Sequence, residues 1–116
     1  MPDLSVTELD LLTFFEVEPK RLDPDDPWPY NDLLYQNTFG ETELAFSLAA
    51  AYKDVRLILK RSGRMVYELN AMGLRDVCYH NDAGRESLEL IFSDRTRLLL
   101  FLKPEVSILH EAKERA

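Results

Sequence analysis

Cysteine is almost missing from this chain. Cys78 is the only one in 116 residues. No internal disulfide can form, which points to a reducing compartment and a cytoplasmic location. Glycine is scarce as well, at four residues, and no glycine-rich loop is present to cradle a phosphate. No apolar run approaches the length needed to span a membrane. The opening MPDLSVTELD holds no basic residue and no apolar stretch, so it does not read as a signal peptide. Histidine is limited to His80 and His110, and His110 lies near the charged tail.

What is abundant is acid, and its placement matters more than its amount. The net charge is −7. Residues 1–32 hold nine acids and two bases, Lys20 and Arg21, so they net −7 by themselves; residues 33–116 hold twelve of each and net zero. A field of one sign on one region attracts basic partners and repels nucleic acid and anionic membranes. The plain alternative is that these acids keep a small protein soluble.

Apolar residues make up 46% and charged residues 30%, ordinary values for a folded chain, and the length suits one domain with one core. The expected organisation is a single domain over 1–116. Residues 1–32 form an acidic helix and extended arm, 33–110 an antiparallel β body, and 111–116 a frayed tail. The fold class is α+β: a mainly antiparallel β-meander forming a curved sheet, with one N-terminal helix and a proline-rich extended arm.

The helix is expected over about 6–15. Ser5-x-x-Glu8 has the spacing of a capping box, and Leu11, Phe14 and Phe15 would share a stripe facing the core. A strand competes, because Leu9, Leu11, Phe15 and Val17 alternate with acids, but Leu12 and Phe14 break that alternation. Pro19, Pro24, Pro27 and Pro29 then forbid regular structure up to about residue 31.

Beyond residue 32, period-two patterning marks successive strands, and hydrophobic matching fixes their register. A turn at Gly40-Glu41 pairs Tyr35 with Phe46 and Leu33 with Leu48. A three-residue loop, Arg61-Ser62-Gly63, pairs Leu59 with Met65, Leu57 with Tyr67 and Val55 with Leu69. A turn within Asp82–Arg85 sets Tyr79 opposite Leu88 and Val77 opposite Leu90. The run RLLLFLK (97–103) reads as a strand covered on both faces. A short strand, Val106–Leu109, precedes the charged tail.

The odd segment is DPDDPWPYND, residues 23–32. It carries acids, helix breakers and the only tryptophan. Prolines fix such a segment in extended form and keep it from pairing as a strand. Trp28 and Tyr30 could be the buried underside of a strap laid over RLLLFLK. Alternatively they form an exposed aromatic anchor ringed by acids, the composition of a hot spot for a basic partner. On that reading the partner-binding residues are Asp23, Asp25, Asp26, Trp28, Tyr30 and Asp32.

Catalytic groups are not assembled in the sequence. His80-x-Asp82 with Glu86 offers too few converging ligands for zinc and reads as a solvated hairpin end. Cys78 and His80 share a strand face but lie too far apart for a direct hydrogen bond. The serines lack a nucleophile elbow. No catalytic residue, metal or cofactor is therefore expected. Two function classes remain. One is a non-catalytic interaction protein, such as an acidic inhibitor or toxin-neutralising (immunity-type) protein. The other is a small-ligand-binding or hydrolytic protein with a pocket near Tyr35, Phe46, Tyr67 and Tyr79. A flat acidic face favours the first and a formed pocket the second.

Overall fold

The computed structural model describes residues 4–27 and 31–113. Within them the chain is mostly antiparallel strand with one short helix. The helix, α1 (Glu8–Phe15), comes first, followed by β1 (Lys20–Arg21). Then come β2 (Asp32–Phe39), β3 (Thr42–Ala49), β4 (Asp54–Arg61) and β5 (Arg64–Ala71). After a crossing at residues 72–75 follow β6 (Asp76–Asp82), β7 (Arg85–Ile91), β8 (Thr96–Phe101) and β9 (Ser107–Ala112).

The strands form two sheets and not one. The first has the order β1-β2-β3-β4-β5 and the second β6-β7-β8-β9. Each is a meander of sequence neighbours. The break falls where Gly73 takes a left-handed φ of +64°. The chain there leaves the first sheet. Leu74 N–H donates to Lys53 C=O at 2.8 Å, Arg75 N–H to Ile91 C=O at 2.8 Å, and the Leu74 side chain is buried.

The α1 stripe is as expected, with Leu11, Phe14 and Phe15 buried. Its cap is not. Thr7 Oγ1 accepts from Asp10 N–H at 3.1 Å, and Asp10 Oδ2 accepts from Thr7 N–H at 3.0 Å. Ser5 does not cap the helix because Asp76 holds it, through its N–H at 2.7 Å and its hydroxyl at 2.5 Å. Phe15 joins α1 to the first sheet, with ring centroids 5.1 Å from Tyr35 and 5.0 Å from Phe46. Phe14 meets Tyr79 of the second sheet at 6.2 Å. The helix is thus the wedge on which both sheets close, and its end is tied to β2 where Asn37 Nδ2 donates to Phe15 C=O at 2.9 Å.

Two of the three expected registers hold. Tyr35 pairs with Phe46 and Leu33 with Leu48; Tyr79 pairs with Leu88 and Val77 with Leu90. The β4–β5 hairpin differs. Its turn is the two residues Ser62 and Gly63, at φ +53° and +76°. Arg61 pairs with Arg64 and Lys60 with Met65, then a bulge at Val66 shifts the register so that Leu59 pairs with Tyr67 and Leu57 with Leu69. One extra residue in β5 restores the apolar matching that an unbulged two-residue turn would lose.

Three further expectations change. Lys20 and Arg21 pair with Leu34 and Leu33, so the arm does add a short strand between its prolines. β9 runs on through Glu111 and Ala112, because Lys113 N–H donates to Arg95 C=O at 2.8 Å and holds the end. RLLLFLK is not equally covered on its two faces: Leu98, Leu100 and Leu102 are buried, whereas Leu99 and Phe101 are only half-buried. The Arg85 guanidinium lies 4.7 Å from the Phe101 ring centroid and shields it in part.

Candidate partner-binding surface

The described part of the acidic segment, residues 23–27 and 31–32, is folded more tightly than its composition suggests. Its organiser is Asn31, a polar side chain only 3% exposed. Its amide Nδ2 donates to Asp23 C=O, and also to Asp26 C=O at 3.1 Å. Its Oδ1 accepts from Asp23 N–H at 3.2 Å. Three backbone groups of the loop therefore converge on one side chain, which satisfies polar groups that the short chain could not pair otherwise. Inside the loop, Asp25 N–H donates to Asp23 Oδ1 at 3.0 Å, a local turn typical of aspartate. Leu22 N–H closes the base on Asp32 C=O at 3.0 Å.

This geometry brings Asp23, Asp25 and Asp26 together on one exposed loop. Asp32 is exposed too, but it belongs to the first position of β2. It lines a groove of about 410 Å³ across the outer face of the first sheet, beside Ala49, Asp54 and Arg56. Trp28 and Tyr30 lie outside the described residues. Apolar side chains do occur beside the acids: Leu22 is 76% exposed and Leu9 69% exposed. They flank the two ends of the Glu8–Arg21 ion pair, which ties the first turn of α1 to β1. Large apolar groups near exposed carboxylates are the makings of a contact surface. Neither leucine stands out in the sequence: Leu9 sits inside the strand-like alternation with acids, and Leu22 is a lone apolar residue ahead of the prolines.

The aromatic interior is packed. Phe15 occupies the space between Tyr35 and Phe46, where a pocket would have to form. The Tyr35 hydroxyl has no hydrogen-bond partner among the described residues, and burial, with Glu8 adding to it, pushes its pKa up to about 12. A neutral phenol of that kind is a packing group and neither acid nor base near neutral pH.

The outer face of the second sheet carries a ladder of charges with one member per strand. His80 Nε2 of β6 lies 2.8 Å from Glu89 Oε1 of β7. Arg97 of β8 donates from NH1 to Glu89 Oε2 at 3.1 Å and from Nε to Glu111 Oε1 of β9 at 2.7 Å. His80 thus faces Glu89 and not Asp82 or Glu86; the Glu86 carboxylate accepts from the Tyr79 hydroxyl instead. No three metal-binding side chains converge among the described residues. Partial burial pushes the Cys78 thiol up, and the neighbouring Asp76 carboxylate adds to the shift. A thiol held protonated is a poor nucleophile.

Glu89 sits at the centre of the ladder. Partial burial would raise its pKa, but hydrogen bonds from His80 and Arg97 outweigh that and hold the carboxyl below its ordinary value. A carboxyl with a lowered folded pKa stabilises fully above the unfolded value and loses that contribution as pH falls through the folded one. Glu89→Gln is therefore expected to cost about 1.5–3 kcal/mol at neutral pH, the range for charged hydrogen bonds at a mostly buried group. The difference should shrink steadily below about pH 4.5, where the unfolded carboxyl protonates. Denaturant titrations of both proteins at several pH values check this. A difference that does not change with pH would assign the loss to packing.

No protein-family model and no curated protein sequence matches the chain. A solved structure does: a chain of the contact-dependent growth inhibition toxin–immunity protein complex from Klebsiella pneumoniae 342. The two chains superpose with a TM-score of 0.74 at 17% sequence identity, over 94% of this chain and 96% of that one. At that identity the likeness is one of fold, and it extends along nearly the whole of both chains.

Proposed function

We propose that this chain is a non-catalytic, toxin-neutralising protein of the immunity type, which works in the cytoplasm by occupying a basic protein partner. The observation that carries the reading is the nearly full-length fold match to a chain from a toxin–immunity protein complex. The acidic loop supplies the complementary chemistry. It presents Asp23, Asp25 and Asp26 on a preformed scaffold, with Leu22 and Leu9 as apolar contacts. A preformed loop loses little entropy on binding, and its charge speeds encounter with a basic surface.

The test has two stages. The chain is used as bait in its native cell, and capture is repeated at high salt, where charge-dependent partners release. The captured polypeptide is then expressed in a sensitive host with and without this chain. The expected result is growth arrest that this chain relieves. A captured partner that is harmless, or whose toxicity is unaffected, overturns the proposal.

A further inference from the structure

Four strands lie at sheet margins: β1 and β5 in the first sheet, β6 and β9 in the second. Three of them are blunted. β1 is two residues long and lies between Pro19 and Pro24. β6 is covered near its start, where Val6 N–H donates to Val77 C=O at 2.9 Å. β9 sets His110 and Glu111 among its apolar residues. β5 is the exception. It is eight residues long, and among the described residues no strand pairs on its outer side. Arg64, Glu68 and Asn70 interrupt its apolar residues and a bulge at Val66 sits near its start, but its length leaves most of the edge open. Met65 and Val66 are 51% and 60% exposed, and Met72, just past its end, is 83% exposed. A long edge of this kind is a template for another strand.

We propose that β5 pairs with β5 of a second copy of this chain. The pairing is antiparallel about a twofold axis through Leu69, and it joins two five-stranded sheets into one. Directly opposite residues of an antiparallel pair share a sheet face, so only registers that differ by two compete. With Glu68 opposite its own copy, like charges meet. With Tyr67 opposite its own copy, the bulged Val66 must pair against Glu68. The register centred on Leu69 avoids both. It sets Tyr67 against Ala71 of the second copy and Glu68 against the amide of Asn70. Exposed Val66 falls beside exposed Met72, so each covers the other. An interface of this type is self-complementary, as a twofold pair requires.

The charge around β5 argues against the basic partner as its occupant. Glu68 bonds Arg56 at 3.0 Å and remains an exposed carboxylate. Arg61 and Arg64 stand paired at the hairpin end. A basic partner of the kind proposed for the acidic loop would meet arginines here. The edge buries little surface, so the dimer should be weak and dependent on concentration.

The test uses the isolated whole chain and needs no partner. Sedimentation velocity is run from low micromolar to near-millimolar protein. The expected mass rises from the 13.5 kDa of one chain towards twice that value. Asn70→Glu places carboxylates opposite Glu68 at both symmetry-related positions and should weaken the dimer roughly tenfold or more. Asn70→Lys places an ammonium there and should tighten it. Asn70 is exposed, and circular dichroism will check that each variant keeps the parent fold. If Asn70→Glu fails to fold, the Asn70→Lys result decides by its sign. A single-chain mass at every concentration overturns the proposal and leaves β5 open to a strand of another protein. A dimer indifferent to both substitutions overturns it too.

Discussion

Phe15→Ala will lower the unfolding free energy by about 3–5 kcal/mol, the range for truncating a buried phenylalanine. Phe15 is fully buried, and its ring touches three others, Phe14, Tyr35 and Phe46. The backbone around it cannot collapse into the vacated space, because Asn37 grips the Phe15 carbonyl and Glu16 caps the helix on Leu12 C=O. A loss of that size is a large share of the stability of a domain this small. Chemical denaturation with a shared slope checks it. Leu9→Ala on the opposite face of α1 serves as the control and should change stability far less, since Leu9 is 69% exposed. Equal losses at the two positions would mean that α1 does not wedge the sheets apart.

The second large effect concerns binding. Replacing Asp23, Asp25, Asp26 and Asp32 together with asparagine should slow association with a basic partner about tenfold to a hundredfold at low salt. It should also flatten the dependence of that rate on ionic strength. Dissociation should change less, because exposed charges act mainly on encounter. Stability should hold, since asparagine at residue 23 keeps the Oδ1 that accepts from Asp25 N–H. Stopped-flow association at two salt concentrations reads both quantities. An association rate equal to that of the parent would reduce the loop to a solubilising feature, whatever else the protein binds.

Much of the fold was legible because hydrophobic matching works wherever a ladder runs without interruption. The β2–β3 and β6–β7 hairpins are of that kind, and so is the buried stripe of α1. Matching fails at Val66 because it assumes one residue opposite one residue, and a bulge absorbs an extra one while leaving no mark in the pattern. The cap of α1 was misplaced because Thr7 and Ser5 offer the same chemistry, and the choice is made by Asp76, seventy-one residues from Ser5. For the candidate surface, the acids were legible as charge. The clamp that shapes them was not: Asn31 is one amide in a loop, and nothing local reveals that it points inward. The charged ladder was missed for a related reason. His80, Glu89, Arg97 and Glu111 become neighbours only once four strands are aligned.

The consecutive strand order has a kinetic side. Strands β2–β5 form three successive hairpins and β6–β9 three more, so nearly every ladder closes a short loop. Local pairings of this kind cost little loop entropy and form early. The slow event left over is the meeting of two preformed halves on a helix that was synthesised before either. During translation α1 emerges first, yet Tyr35 and Phe46 arrive some twenty to thirty residues later and Tyr79 later still. Until then its phenylalanines have no surface to bury against. The N-terminal segment is made first but completes its packing late, and the exit of β6 from the ribosome sets the earliest moment when it can.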